Sequence, residues 1–238
     1  MSRDLKALLA IDPPVVADKI CAFVKEQVAE TGATGAVIGI SGGLDSAVVA
    51  ALVATAIGPG KVTGLFLPER DTAPESIACA RAVAQSTGIT LETLDLTRAL
   101  EQIGAYRGKV PTAMKSAGVN RTAFIAMRRI GGRSPFEATF DTNKGNILNE
   151  AAAFFRVKHR LRMAALYHRA EREGRLVVGC LNRTERLMGF FVRYGDDAAD
   201  FAPIIPLYKT QVRALASYLK VPEAVIGRPP SPDLIAGI

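Results

Sequence analysis

The sequence contains no tryptophan, only three cysteines and two histidines, and aromatic residues make up 6% of it. Without large rings, a core has to rest on Ala, Val, Ile and Leu, which suits helices packed closely on a parallel sheet. Cys21, Cys79 and Cys180 are odd in number, far apart and free of any C-x-x-C spacing. That excludes a disulfide framework or a zinc site and points to a reducing, cytoplasmic setting. The N-terminus has no signal-peptide apolar region. The longest apolar runs, such as Ala47 to Ile57, fall well short of the roughly 20 residues that span a bilayer. A soluble protein is expected. A single long basic run is also missing, although the formal charge is +7 and the pI about 9.5. The basic residues thicken between Arg107 and Arg175, a pattern that a solvated face or an anionic substrate explains as well as nucleic acid does. Nucleic acid is therefore not inferred.

Hydrophobic residues form 49% of the chain and charged residues 22%, enough apolar material for one sizeable domain over residues 1–238. Pro13-Pro14 opens a helical pattern that runs to Gly32. Ala36–Ile40 reads as a buried strand, Ser46–Ile57 as an Ala/Val-rich helix and Val62–Leu67 as a second strand. Pro74–Ser86 reads as a helix with Thr72 as its capping candidate, and Thr90–Leu96 as a third strand. Strand and helix alternate over short connections, which predicts right-handed βαβ units on an open parallel sheet with helices on both faces. A polar, glycine-containing segment over about 98–150 breaks the pattern and reads as an insertion of functional-loop type. Ala151–Glu173 is then a long helix, Leu176–Cys180 a fourth strand and Tyr208–Lys220 an amphipathic helix. Pro229–Pro232 forms a rigid loop.

The richest segment is Ile38-Gly-Ile-Ser41-Gly42-Gly43-Leu-Asp45-Ser46, between a strand and a helix. Gly42 and Gly43 allow a sharp turn that brings amide N–H groups close to an anion. The helix N-terminus adds partial positive charge, and Ser41 and Ser46 add hydroxyls. No lysine follows the glycines, so this is not the loop of γ-phosphate-cleaving enzymes, and a G-x-G-x-x-G dinucleotide turn is absent. Asp45 would repel a phosphate unless a divalent cation lay between them, so it predicts Mg²⁺. The plain alternative is a glycine-rich turn with Asp45 as a helix cap.

Ser41–Ser46 resembles the SGGxDS pyrophosphate loop of the N-type ATP pyrophosphatases. Val177–Glu185, Gly189–Asp200, Arg160–Tyr167, Leu207–Arg213 and Arg228–Leu234 are similar to the corresponding runs of ammonia-dependent NAD synthetases. The resemblance covers roughly residues 15–97 and 156–234 and implies a Rossmann-like, adenine-nucleotide α-hydrolase-like fold. It implies that ATP adenylates the nicotinate carboxylate of deamido-NAD, releasing pyrophosphate, and that ammonia then displaces AMP to give NAD. It also implies Mg²⁺ on Asp45 and Glu185, cations at Arg193 and Arg228, and a phosphate-loop hydroxyl at Ser231. Arg70 falls near the adenosine, Cys180 lines the ATP site, and Asp196 and Asp200 are acids on the substrate side. A homodimer is expected, and with no glutaminase segment ahead of the loop, ammonia would come free or from a separate partner.

This chain departs from the family in several places. Cys180 replaces a Thr, Asp197 a Gly, and Arg193 and Arg228 replace lysines, which spreads their charge over a planar fork. Arg156-Val-Lys-His-Arg160 stands where the family has Asn-Ile-x-Ala-Arg, and the stretch before it is longer by roughly twenty-odd residues. Arg156 and Arg160 are accordingly candidates for an anionic acceptor. A paralogue amidating another carboxylate is the chief alternative, ahead of a tRNA-modifying ATP pyrophosphatase. His159 and His168 read as surface or interface residues, and Cys180 as a small space-filling residue rather than a nucleophile.

Overall fold

The computed structural model describes residues 9–107 and 145–228, without the side chains of 145–148. Most of the 98–150 segment, together with Pro229–Pro232 and Ser231, lies outside the described residues. Strands β1 (Ala36–Gly39), β2 (Val62–Phe66), β3 (Thr90–Thr93) and β4 (Leu176–Val178) form one sheet in the order β3-β2-β1-β4. Every pairing is parallel: Ala36 registers with Val62 and Leu176, and Thr63 with Thr90.

Alternation along β1 divides the core. Ala36 and Ile38 face helices α1 (Pro13–Thr31), α2 (Leu44–Ile57), α3 (Pro74–Thr87) and α7 (Lys209–Tyr218). Val37 faces the other way, toward Leu100 of α4 (Thr97–Gln102) and Met163, Leu166 and Ala170 of α5 (Gly145–Glu173). Helices therefore cover both faces, as the sequence predicts. Helix α2 is apolar all round and almost wholly buried, as such a helix has to be. Helix α1 starts where Asp12 accepts from the Val15 N–H at 3.4 Å and ends on left-handed Gly32. Two short helices, α6 (Arg183–Met188) and α8 (Glu223–Ile226), flank α7 in the chain.

Two local expectations are corrected. Thr72 does not cap α3: its hydroxyl accepts from the Glu69 N–H at 2.9 Å, and Ala73 takes the cap position ahead of Pro74, whose missing N–H lessens the need. The third strand ends at Thr93 rather than Leu96: Leu94 still donates to Phe66, the last residue of β2, at 3.0 Å, but the Leu96 N–H goes at 2.8 Å to Pro68, beyond the end of β2. Among the described residues no helix is long and apolar enough to cross a membrane.

The strand order positions the site. The chain steps from β1 to β2 to β3 on one side, and β4 returns to the opposite side of β1. The crevice beyond the carboxyl ends of β1 and β4 is thus the switch point where open α/β sheets hold ligands.

Candidate active site

The Ser41–Ser46 turn opens at that crevice, directly after β1. Gly42 has φ +78°, and a β-carbon there would lie 2.5 Å from the Ser76 carbonyl oxygen, so only glycine fits against α3. The turn is braced by its own hydroxyls. Ser46 Oγ accepts from the Ser41 N–H at 3.3 Å, lies 3.1 Å from Ser41 Oγ and donates to the Gly43 carbonyl at 3.0 Å. The Gly43 N–H points to Ser41 Oγ at 3.2 Å. Asp45 lies in the first turn of α2, behind the Gly43 cap position, so it does not cap the helix.

Asn182, wholly buried at the end of β4, ties Asp45 to the facing loop. Its amide donates to Asp45 Oδ1 at 3.1 Å, while its carbonyl oxygen accepts from the Glu185 N–H at 3.0 Å. Glu185 Oε2 returns a bond to the Asn182 N–H at 3.2 Å, closing a capping box on α6. Burial, and then the negative charge of Asp45, push the Glu185 carboxyl up to about 7. Lys209 from the start of α7 pairs with Asp45. Two carboxylates joined across one polar bridge suit a divalent cation that also draws on phosphate oxygens and water. Asp45 and Glu185 are the residues that could hold one.

The sequence reading assigned no role to Asn182 or Lys209. Asn182 was legible as the start of an N-x-x-E capping box. Lys209 carried a fainter signal: a lysine in the first turn of a helix opposes the helix dipole, so some other charge has to draw it there. That charge is Asp45.

The remaining candidates divide into groups. Arg228 donates to Ser76 Oγ at 2.9 Å, which sets it beside the Gly42 turn. Cys180 feels Asp45, Glu185 and Asp196 together; burial and then these charges raise its thiol, so it stays protonated and cannot act as a thiolate. Arg70 stacks over the Tyr106 ring at 3.9 Å, in the turn after β2. Arg193 is exposed, its guanidinium 5.0 Å from the Tyr194 ring centroid, and its carbonyl oxygen accepts from Arg160 Nε at 3.2 Å. Asp196 accepts from the Val192 N–H at 2.6 Å, and burial raises its carboxyl to about 6. Both oxygens of Asp200 bind within the fold, to Tyr167 Oη at 3.0 Å and the Val177 N–H at 2.7 Å, fastening the outer edge of β4, where Phe201 bridges Val178.

The basic cluster on α5 does not act as a unit. At positions 156, 158, 160 and 162 a helix sends its side chains to different sides. Lys158 is buried and Arg162 donates to the Leu67 carbonyl at 3.1 Å, whereas Arg156 and Arg160 stay nearer the surface. His159 is partly exposed and His168 exposed, as expected of surface residues. His159 packs against Gly195, 3.8 Å from Asp196, and burial, reinforced by Arg162 and Lys158, lowers it to about 3, so it is neutral.

A glycine-braced anion turn at the switch point of a parallel sheet, facing paired carboxylates, defines an α/β nucleotide-binding enzyme. The sequence matches the NAD synthase family over residues 16–130 and 133–238. It is 40% identical to the NH₃-dependent NAD⁺ synthetase of Coprothermobacter proteolyticus over 91% of this chain and 75% of that protein. The corresponding enzyme of Thermotoga neapolitana is 39% identical, over 93% and 76%. Among solved structures, the NMN synthetase of Francisella tularensis superposes with TM-score 0.71 at 28% identity, covering 94% of this chain and 78% of that one. The NH₃-dependent NAD synthetase of Campylobacter jejuni gives TM-score 0.67 at 26% identity, covering 91% and 77%. The chain belongs to the NAD synthase family, and the ligase class expected from the ordered set of resembling runs stands.

Proposed function

We propose that this protein uses ATP, Mg²⁺ and free ammonia to convert deamido-NAD into NAD, with AMP and pyrophosphate as the other products. The observation that carries the reading is the bridge from Asp45 through Asn182 to Glu185 at the mouth of the Ser41–Ser46 turn. Among the described residues no group of three or more His, Cys, Asp or Glu could hold a metal ion. A two-carboxylate site fits Mg²⁺, which binds through one or two carboxylates and completes its octahedron with phosphate oxygens and water. Bound there, the ion would neutralise charge developing on the departing pyrophosphate.

In the first step a carboxylate oxygen of the acceptor attacks the α-phosphorus and the α–β bridging P–O bond breaks, its electrons leaving with pyrophosphate. The turn's amides, the dipole of α2 and the Lys209 ammonium stabilise that leaving group. Arg228 would meet the phosphates, Ser231 is the hydroxyl that the resemblance assigns to them, and Arg70 would meet the adenosine. In the second step ammonia nitrogen attacks the acyl carbon, AMP leaves with the C–O bonding pair, and nitrogen sheds a proton to solvent or to a nearby acid. Arg193, Arg156, Arg160 and Asp196 would face the acceptor, with Asp200 holding the strand beneath it. A second copy of the chain completes that side in this reading, as a homodimer in the cytoplasm.

One observation favours a second reading: the solved structure with TM-score 0.71 is an NMN synthetase, and Arg156 stands where the family has Asn. An acceptor lacking the adenylate half would suit the altered segment. Supplying ATP, Mg²⁺ and ammonia with either deamido-NAD or nicotinic acid mononucleotide, and identifying products by mass spectrometry, decides between them. NAD formed in preference to NMN supports the proposal; NMN in preference, or AMP with neither amide, overturns it.

A further inference from the structure

We infer that Lys158 is a positioning residue for nucleotide binding: it fixes the turn after β2 and so holds Arg70 in place. The inference rests on the reading of Arg70 as an adenosine-side residue. Lys158 sits on α5 with a side chain 0% exposed, and its Nζ lies 2.9 Å from Glu69 Oε1 and 2.9 Å from Asp71 Oδ2. These acids stand on either side of Arg70 in sequence. Glu69 Oε2 also accepts from Tyr106 Oη at 2.6 Å and from the Asp71 N–H at 3.2 Å. Asp71 then grips the guanidinium edge-on, with Arg70 Nε donating to Oδ1 at 2.9 Å and Nη2 to Oδ2 at 3.3 Å. Tyr106, set by Glu69, supplies the face on which Arg70 stacks, and the Phe154 ring lies 4.1 Å beneath the Lys158 ammonium.

Stability alone does not call for this arrangement. Well-packed apolar residues in place of a buried ion cluster are commonly as stable or more so. What the charges supply is geometry: an arginine with many rotamers is held between a carboxylate and a ring before any ligand arrives, which lowers the ordering cost of binding. The sequence placed Lys158 in a basic run, where a solvent-facing or substrate-facing role looked natural. The structure turns it inward, away from both.

The test is a binding cycle in the full chain, read by calorimetry with α,β-methylene-ATP and Mg²⁺, so that it does not depend on which acceptor the enzyme uses. Lys158→Met with Glu69→Gln removes one charge of each sign and leaves the Arg70–Asp71 pair intact, so the variant folds. Arg70→Ala weakens binding about tenfold, and the double variant by most of that factor. Combining all three changes weakens it no further than Arg70→Ala does, because positioning has no value once its object is gone. Steady-state turnover of the double variant shows a raised KM for ATP with kcat little changed. Unaltered binding in Arg70→Ala removes the adenosine reading and the inference with it. A full effect of Arg70→Ala beside unaltered binding in the double variant, or factors that multiply in the triple variant, removes the role of Lys158 alone.

Discussion

Two neighbouring places at the carboxyl ends of the strands bring acids together, the turn after β2 and the meeting of Asp45 with Glu185 across β1 and β4, and they are compensated to different degrees. After β2, Glu69 and Asp71 are buried with a lysine between them and an arginine and a tyrosine on their outer sides. The carboxyl of Asp71 opposes burial, yet its bonds to Arg70 and Lys158 bring it below its ordinary value. Across the switch point, Asp45 is paired with Lys209, while Glu185 meets Asp45 only through the neutral amide of Asn182 and is pushed up to about 7. Full compensation marks acids that hold a structure; partial compensation marks acids arranged for a charge the fold does not itself provide.

The sharpest way to break the comparison is at the compensated turn. Lys158→Met alone removes the ammonium shared by buried Glu69 and Asp71, leaving Glu69 without its ion pair, and should cost about 3–5 kcal/mol of stability, read by urea unfolding. The same change made with Glu69→Gln should recover most of that loss, and equal losses in the two variants would mean the charges are not what matters. At the other turn, Asp45→Asn keeps the size and the Asn182 contact while removing the charge. Turnover should fall by about 10²–10³-fold, with melting temperature preserved or raised. Retained turnover would remove Asp45 from the metal.

Glu185→Gln probes the imbalance directly. A carboxyl whose folded value is about 7 against an ordinary 4.5 brings no penalty below pH 4.5, where both states are protonated. Between pH 4.5 and 7 the unfolded chain releases a proton that the folded one retains, so stability falls as pH rises, and it levels off above 7. Glutamine keeps the acceptor for the Asn182 N–H without the charge. In metal-free buffer the variant should therefore gain on the parent from nothing near pH 4.5 to about 3 kcal/mol at pH 8. Parallel stability curves would show that burial and Asp45 together do not raise the Glu185 carboxyl.

The two turns also differ in how far they could be read from sequence. Strand, glycines, hydroxyls and an acid in one unbroken run let Ser41–Ser46 be read as a candidate phosphate turn without any structure, since every part is local. The parallel sheet was equally legible, because each β-α step announces itself by period and punctuation. The Glu69–Asp71–Lys158 cluster joins residues some ninety positions apart, and no local pattern marks which lysine in a basic helix turns inward. Asn182 and Lys209 stood inside runs already recognised, yet their shared partner, Asp45, lies across the switch point. Thr72 misled for the opposite reason. A hydroxyl two residues before a helix reads as a cap, but it can equally close the preceding turn, and only the path of the backbone decides.

That hydroxyl gives the finest test. If α5 holds the β2 turn through Lys158, the turn's own bond from the Glu69 N–H to Thr72 Oγ1 is secondary. Thr72→Ala removes one acceptor from a half-buried amide, for about 1 kcal/mol. It leaves Asp71, Tyr106 and therefore Arg70 where they are, so affinity for α,β-methylene-ATP should not change. Urea unfolding and calorimetry on the same preparation separate the two effects. A Thr72→Ala protein that loses nucleotide affinity as the Lys158 double variant does would show that the turn is set by its local backbone, and the contrast between an α5-held turn and a ligand-ready one would then fail.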